Sequence, residues 1–157
     1  IHLSTPVSRV IIEDGHVRGV QTGGGEQRFD AVISTVPLPY LPRMIPDLPA
    51  EEMQKINAIV NIGVACVILK LDRAFSENFW MNICDERIDM PGLIEYTNLC
   101  PLTDHVVYAP YYMPATHPKF SYTDEQFVAE VTGYMQRINP AFSAGWIKAA
   151  HVHRYRY

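Results

Sequence analysis

The 157-residue sequence predicts an α+β protein: a mixed, mainly antiparallel sheet with one long packing helix, preceded by a β-meander. Three observations predict this class. Short runs rich in Val, Ile and aromatic residues, each bounded by Gly, Pro, Asp or Asn, recur along most of the chain, as strands do. One stretch, Thr123–Asn139, keeps helical spacing over several turns. The composition, 48% hydrophobic and 19% charged, is that of a chain able to build a core.

The elements follow in order. His2–Ser4 is a short extended run and Val7–Glu13 a strand of β-branched residues. Asp14-Gly15 is a hairpin turn signal, and His16–Thr22 resumes the sheet. Gly23, Gly24 and Gly25 make a second turn into a short strand at Gln27–Phe29. The apolar run Asp30–Val36 predicts a strand buried on both faces. Pro37, Pro39, Pro42, Pro46 and Pro49 then break regular structure and mark a crossover, with helical turns around Tyr40–Met44. Pro49–Asn57 is a helix start, with Glu51 and Glu52 near its positive end. Further strands are predicted at Asn61–Leu71, Phe79–Cys84, Gly92–Leu99, His105–Met113 and Trp146–Tyr157. Thr123 and Gln126 have the spacing of a capping box, and Phe127, Val131, Tyr134, Met135 and Ile138 form one stripe of the long helix.

The formal charge of -4 and the lack of a Lys/Arg cluster speak against nucleic acid. No apolar run reaches membrane-spanning length. Three cysteines without a C-x-x-C pair make a disulfide framework or zinc site a poor fit, and Cys66, Cys84 and Cys100 are expected as buried reduced thiols of a cytoplasmic protein. The chain opens at Ile1 without Met and closes inside a strand. Both ends read as cut from a larger protein, with open sheet edges able to self-associate.

The first quarter holds the most specific pattern. Thr5, Pro6, Val7, Val10 and Ile11 lead to Asp14, Gly15, Val17, Gly19 and Val20, and then to Asp30, Val32, Ile33, Ser34, Thr35 and Pro37. This order resembles the middle of FAD-dependent enzymes of the amine oxidase, protoporphyrinogen oxidase and phytoene desaturase superfamily. The resemblance implies that residues 1–37 are a remnant of an FAD-binding domain and 38–157 a substrate-binding domain. It implies that Val7 holds adenine through main-chain groups, and that Thr35, Val36 and Pro37 lie near the pyrophosphate and flavin linkage. The family's G-x-G-x-x-G fingerprint and its C-terminal flavin segment are missing from the sequence. FAD is therefore expected in a full-length parent and not on this chain alone, which is expected to be inactive. No residue stands out as acid, base or nucleophile.

Candidate substrate contacts are Trp80, Asn82, Glu95 and Tyr111. Period-two alternation puts Leu93, Glu95, Thr97 and Leu99 on one face, with Glu95 a carboxylate among apolar neighbours; it suits either a cationic substrate or a structural ion pair. Phe79, Trp80, Tyr108, Tyr111 and Tyr112 suit either an aromatic wall for a small-molecule substrate or a core. His151 and His153 share a strand face but lack a third metal ligand, so no metal is assigned. Two other readings stay open: a stand-alone ligand-binding or interaction module, and a fragment of a redox-neutral, flavin-dependent sugar mutase.

Overall fold

In the computed structural model, which describes residues 1–156, the chain divides between Asn61 and Ile62 into two units, each with its own antiparallel sheet. The class is α+β.

The first unit holds the predicted meander: β1 (Val7–Glu13), β2 (His16–Thr22) and β3 (Gly25–Arg28), in that spatial order. Asp14 and Gly15 both take positive φ, 52° and 75°, and form the two-residue turn that matches strand twist. Gly19 is required for a second reason. Its φ is 151°, and a Cβ there would come within 2.0 Å of the Gln27 carbonyl oxygen. Val10 and Val20 face each other across β1 and β2 and are buried.

The stretch Asp30–Val36 departs from expectation. It is not a strand, and most of it is exposed, Ile33 at 92%. A strand buried on both faces needs partners for its backbone groups on both edges, and among the described residues no strand lies beside this one. The proline-rich stretch then forms a 3-10 turn at Leu38–Tyr40, α1 (Leu41–Met44) and α2 (Ala50–Ala58). α1 packs on β1, and the first compact unit runs to Asn61.

The second unit is a five-stranded sheet with spatial order β5-β6-β7-β4-β8. Its strands are β4 (Ile62–Leu71), β5 (Trp80–Asn82), β6 (Gly92–Glu95), β7 (His105–Pro114) and β8 (Ile147–Tyr155). The last was expected to reach Tyr157, which lies outside the described residues. β6 ends four residues early because Tyr96–Asn98 turn into a 3-10 helix. The Thr97 hydroxyl there accepts from the Val106 N–H, and the Asn98 amide donates to the carbonyls of Ser76 and Asn78. Leu99 is consequently 63% exposed rather than aligned with Leu93 and Glu95.

The long helix α3 (Asp124–Ile138) forms as the spacing predicts, and both arms of its capping box, Thr123 and Gln126, are made. Its stripe of Phe127, Val131 and Met135 is fully buried. One face of the sheet meets it in a single core: Ala65, Val67, Leu69 and Leu71 of β4, Leu93 of β6, Val107, Ala109, Tyr111 and Met113 of β7, and Val152 of β8. Among the described residues of this unit no α-helix packs on the opposite face, where Tyr96 of the 3-10 turn meets Tyr108.

The cysteines depart from expectation. All three are free, but Cys84 and Cys100 are exposed in loops, and only Cys66, on β4, is half-buried; burial pushes its thiol pKa up.

Candidate functional site

Two places in the molecule hold the predicted site residues, one in each unit.

In the first unit a cavity of about 400 Å³ opens beside β1. Val7, Val10 and Val20 form one wall, and Thr35, Val36 and Met44 line it elsewhere. The irregular path of residues 30–36 brings Thr35 and Val36 to the cavity lining. Had they continued a buried strand, their side chains would have packed into sheet neighbours. Three of the four predicted cofactor residues, Val7, Thr35 and Val36, thus meet around one apolar space that Ser34 also lines. Pro37 follows directly in sequence and does not line it.

In the second unit, strand register sorts the four predicted substrate residues onto opposite faces of one sheet. Trp80 pairs with Ile94, and Ile94 with Tyr108; Asn82 pairs with Gly92. These residues share the face away from α3. There the Trp80 indole N–H donates to Asn82 Oδ1 at 2.8 Å, which fixes the ring at the sheet edge with about half its surface open.

Glu95 and Tyr111 lie on the core face instead, opposite Val107 and Ala65. Glu95 is completely buried, and its carboxylate accepts from the backbone N–H groups of Phe75 and Ser76 at 2.9 and 2.8 Å and from the Ser76 hydroxyl at 3.1 Å. His105 Nδ1 lies 3.9 Å away. A carboxylate so placed ties the loop after β4 to β6. Tyr111 is 4% exposed and packs against Phe127. Its hydroxyl donates to Glu130 at 2.9 Å, and burial together with that carboxylate pushes its pKa far above the usual tyrosine range.

Sequence reasoning missed the partners of Tyr111. Lys119 Nζ sits 4.5 Å over its ring and pairs with both Glu130 and Asp89 at 2.7 Å. A Lys that is 7% exposed is affordable only with such partners. Nothing in local sequence links Asp89, Lys119 and Glu130, since three separate elements contribute them.

A hollow of about 450 Å³ lies where the β5–β6 loop meets Tyr112, lined by Ile83, Cys84, Glu86, Ile88 and Asp89 among others. Asp85, at its edge, accepts from the Arg87 side chain and backbone, which hold its carboxyl well below the usual carboxylate range. Among the described residues no three His, Cys, Asp or Glu side chains are grouped to hold a metal ion, and no helix is long and apolar enough to cross a membrane.

The family model described as flavin containing amine oxidoreductase matches residues 1–157. The chain belongs to the flavin-containing amine oxidoreductase family. Solved structures agree on the fold. A protein described as a protoporphyrinogen oxidase from Exiguobacterium sp. 255-15 superposes with a TM-score of 0.64 at 19% identity, covering 96% of this chain and 34% of that one. An oxidoreductase from Methanosarcina mazei gives 0.71 at 15% identity, covering 98% and 37%. A putrescine oxidase redesigned in its cofactor binding gives 0.68 at 16% identity, covering 94% and 33%. The chain thus spans about a third of the length of these family-like structures. No curated protein sequence matches it.

Proposed function

We propose that the chain is the substrate-binding part, with a portion of the FAD-binding part, of a flavin-dependent oxidoreductase, and that it does not turn over substrate alone. The observation that supports this most is the cavity of the first unit. An adenine ring needs flat apolar walls and backbone groups for its polar edge, and β1 with Val7 and Val10, beside Val20 of β2, offers both. The Ser34 and Thr35 hydroxyls suit the more polar part of the dinucleotide. In this reading Val7, Thr35, Val36 and the adjacent Pro37 hold FAD in the full-length protein. The bound flavin would supply hydride acceptance, with the protein contributing position and electrostatics.

In the same reading the substrate-binding domain covers residues 38–157, with its sheet from Ile62 onward, and the helix-free face of that sheet is the substrate-facing wall. Trp80 and Asn82 lie on it and remain the substrate residues. The buried commitments of Glu95 and Tyr111 favour structural roles for both. The stand-alone module has no specific observation in its favour; the redox-neutral sugar mutase has a shared fold, a UDP-galactopyranose mutase superposing with a TM-score of 0.59 at 11% identity.

The test is direct. Purified alone, the 157-residue chain should be colourless and leave FAD fluorescence unquenched, because one cavity lined by β1 and residues 30–36 provides no helix N-terminus for the pyrophosphate. Stoichiometric yellow flavin in the preparation would overturn the proposal.

A further inference from the structure

The helix-free face of the second sheet carries a pattern that spacing along any one strand conceals. Register brings His151, Ile68, Tyr108, Ile94 and Trp80 into a single row across all five strands. With neighbouring strands about 4.8 Å apart, the four spacings of this row span roughly 19 Å. Its middle is apolar and aromatic. One end is an imidazole and the other the indole fixed by Asn82. A second row begins beside the first with His153, Cys66 and Pro110. The rings of His151 and His153 are 6.2 Å apart, and His153 lies 4.8 Å from the Tyr155 ring. Both imidazoles are exposed.

The charge pattern of this face is one-sided. Its residues on the five strands include no Asp or Glu. Lys70 belongs to it and is paired with Asp104 at 2.7 Å. The acidic groups that border the face are mostly committed: Asp104 to Lys70 and Lys148, Asp85 to Arg87, and Asp89 to Lys119. Glu86 stands exposed on the β5–β6 loop. An ammonium group laid on the wall would meet aromatic faces but no carboxylate. An acid group would meet two adjacent imidazoles able to donate hydrogen bonds to it.

We infer that this face recognises an extended apolar molecule ending in a carboxylate, its chain lying along the row toward Trp80 and its acid group at His151 and His153. The inference rests on the reading of this face as the substrate-facing wall. It assigns His151 and His153 as specificity-determining residues, and it separates this protein by charge from relatives that act on amines.

The full-length, flavin-loaded protein is titrated calorimetrically near neutral pH with dodecanoate and with dodecylamine, two probes of one chain length and opposite charge. Dodecanoate should bind at least about tenfold tighter, the difference expected for one or two charge-assisted hydrogen bonds. The double variant His151→Ala, His153→Ala should lose that preference and keep its unfolding midpoint, since both side chains are exposed; His151→Ala alone should lose part of it. Trp80→Ala should weaken both probes together. Equal affinity, a preference for the amine, or a preference that survives the double variant overturns the acid inference and leaves the wall reading standing. Binding of both probes that is indifferent to Trp80→Ala overturns the wall reading itself, and no binding of dodecanoate overturns the inference outright.

Discussion

Eighteen buried hydrophobic residues form the core of the unit that begins at Ile62, whereas among the described residues the unit before it buries Val10 and Val20. The first unit instead leaves Leu3, Phe29, Ile33 and Val60 exposed at 48% or more. The first stretch is also the less apolar in sequence, 25 of 61 residues against 50 of 96. Layering widens the difference. In the second unit α3 covers one sheet face and gives alternate strand residues somewhere to go, while the first unit's meander is a single layer with α1 against part of it. The deeper core therefore belongs to the second unit, while open apolar surface, the usual mark of a binding or docking region, occurs in both: at Ile33 and Leu3 in the first and at Trp80, Tyr112 and Tyr155 in the second.

The comparison can be broken most sharply by truncating one core residue from each unit. Phe127→Ala should lower stability by about 3–5 kcal/mol, because Phe127 is fully buried between Tyr111, Tyr122 and the sheet and the surrounding core cannot close over the space. Val10→Ala, in a sheet with one covering layer, should cost about 1 kcal/mol. Chemical denaturation of each variant measures both. Equal losses would mean that the meander is as deeply packed as the sheet on α3.

Glu95→Ala comes next in size. It strands the buried N–H groups of Phe75 and Ser76 and should cost about 3 kcal/mol, while Glu95→Gln, which keeps one acceptor oxygen, should cost roughly half as much. A Glu95→Ala protein of unchanged stability that has lost ligand binding would return Glu95 to the substrate site.

Glu95 also shows how far the sequence could be read. Alternation correctly put Leu93 and Glu95 on one face, because side-chain period along a strand is a local property. It could not say that this face is the core, or that the carboxylate is satisfied by backbone groups about twenty residues earlier. Trp80 and Tyr111 make the same point. Each was legible as an aromatic strand residue, but which of them shares a face with the other is fixed by register through β6 and β7, a non-local quantity. The elements that were legible carry their determinants within a few residues: the Asp14-Gly15 turn, the Thr123–Gln126 capping box, the proline break after Val36. Asp30–Val36 misled because an apolar run reports a wish for burial without reporting whether ladder partners exist. In the first unit the cofactor candidates were legible as a group through the family resemblance, and the cavity that gathers Val7, Thr35 and Val36 exists because that strand did not form.

The smallest predicted effect probes the polar side of the same core. Tyr111 is buried, and both burial and Glu130 disfavour its ionised form, so its folded pKa lies far above the value of about 10 that it takes when unfolded. A folded pKa raised in this way gives stability that is complete below the unfolded pKa. As pH rises past it, the unfolded chain releases this proton while the folded protein holds it, and stability falls. The loss assigned to this one group is about 0.4 kcal/mol at pH 10, and it steepens toward about 1.4 kcal/mol per further pH unit. It is read as the difference in alkaline slope between the native protein and Tyr111→Phe, which keeps the ring under Lys119 and removes the proton. Parallel slopes would show that the Tyr111 hydroxyl already reaches solvent, and with it that the core face of the sheet is less closed than its packing on α3 implies.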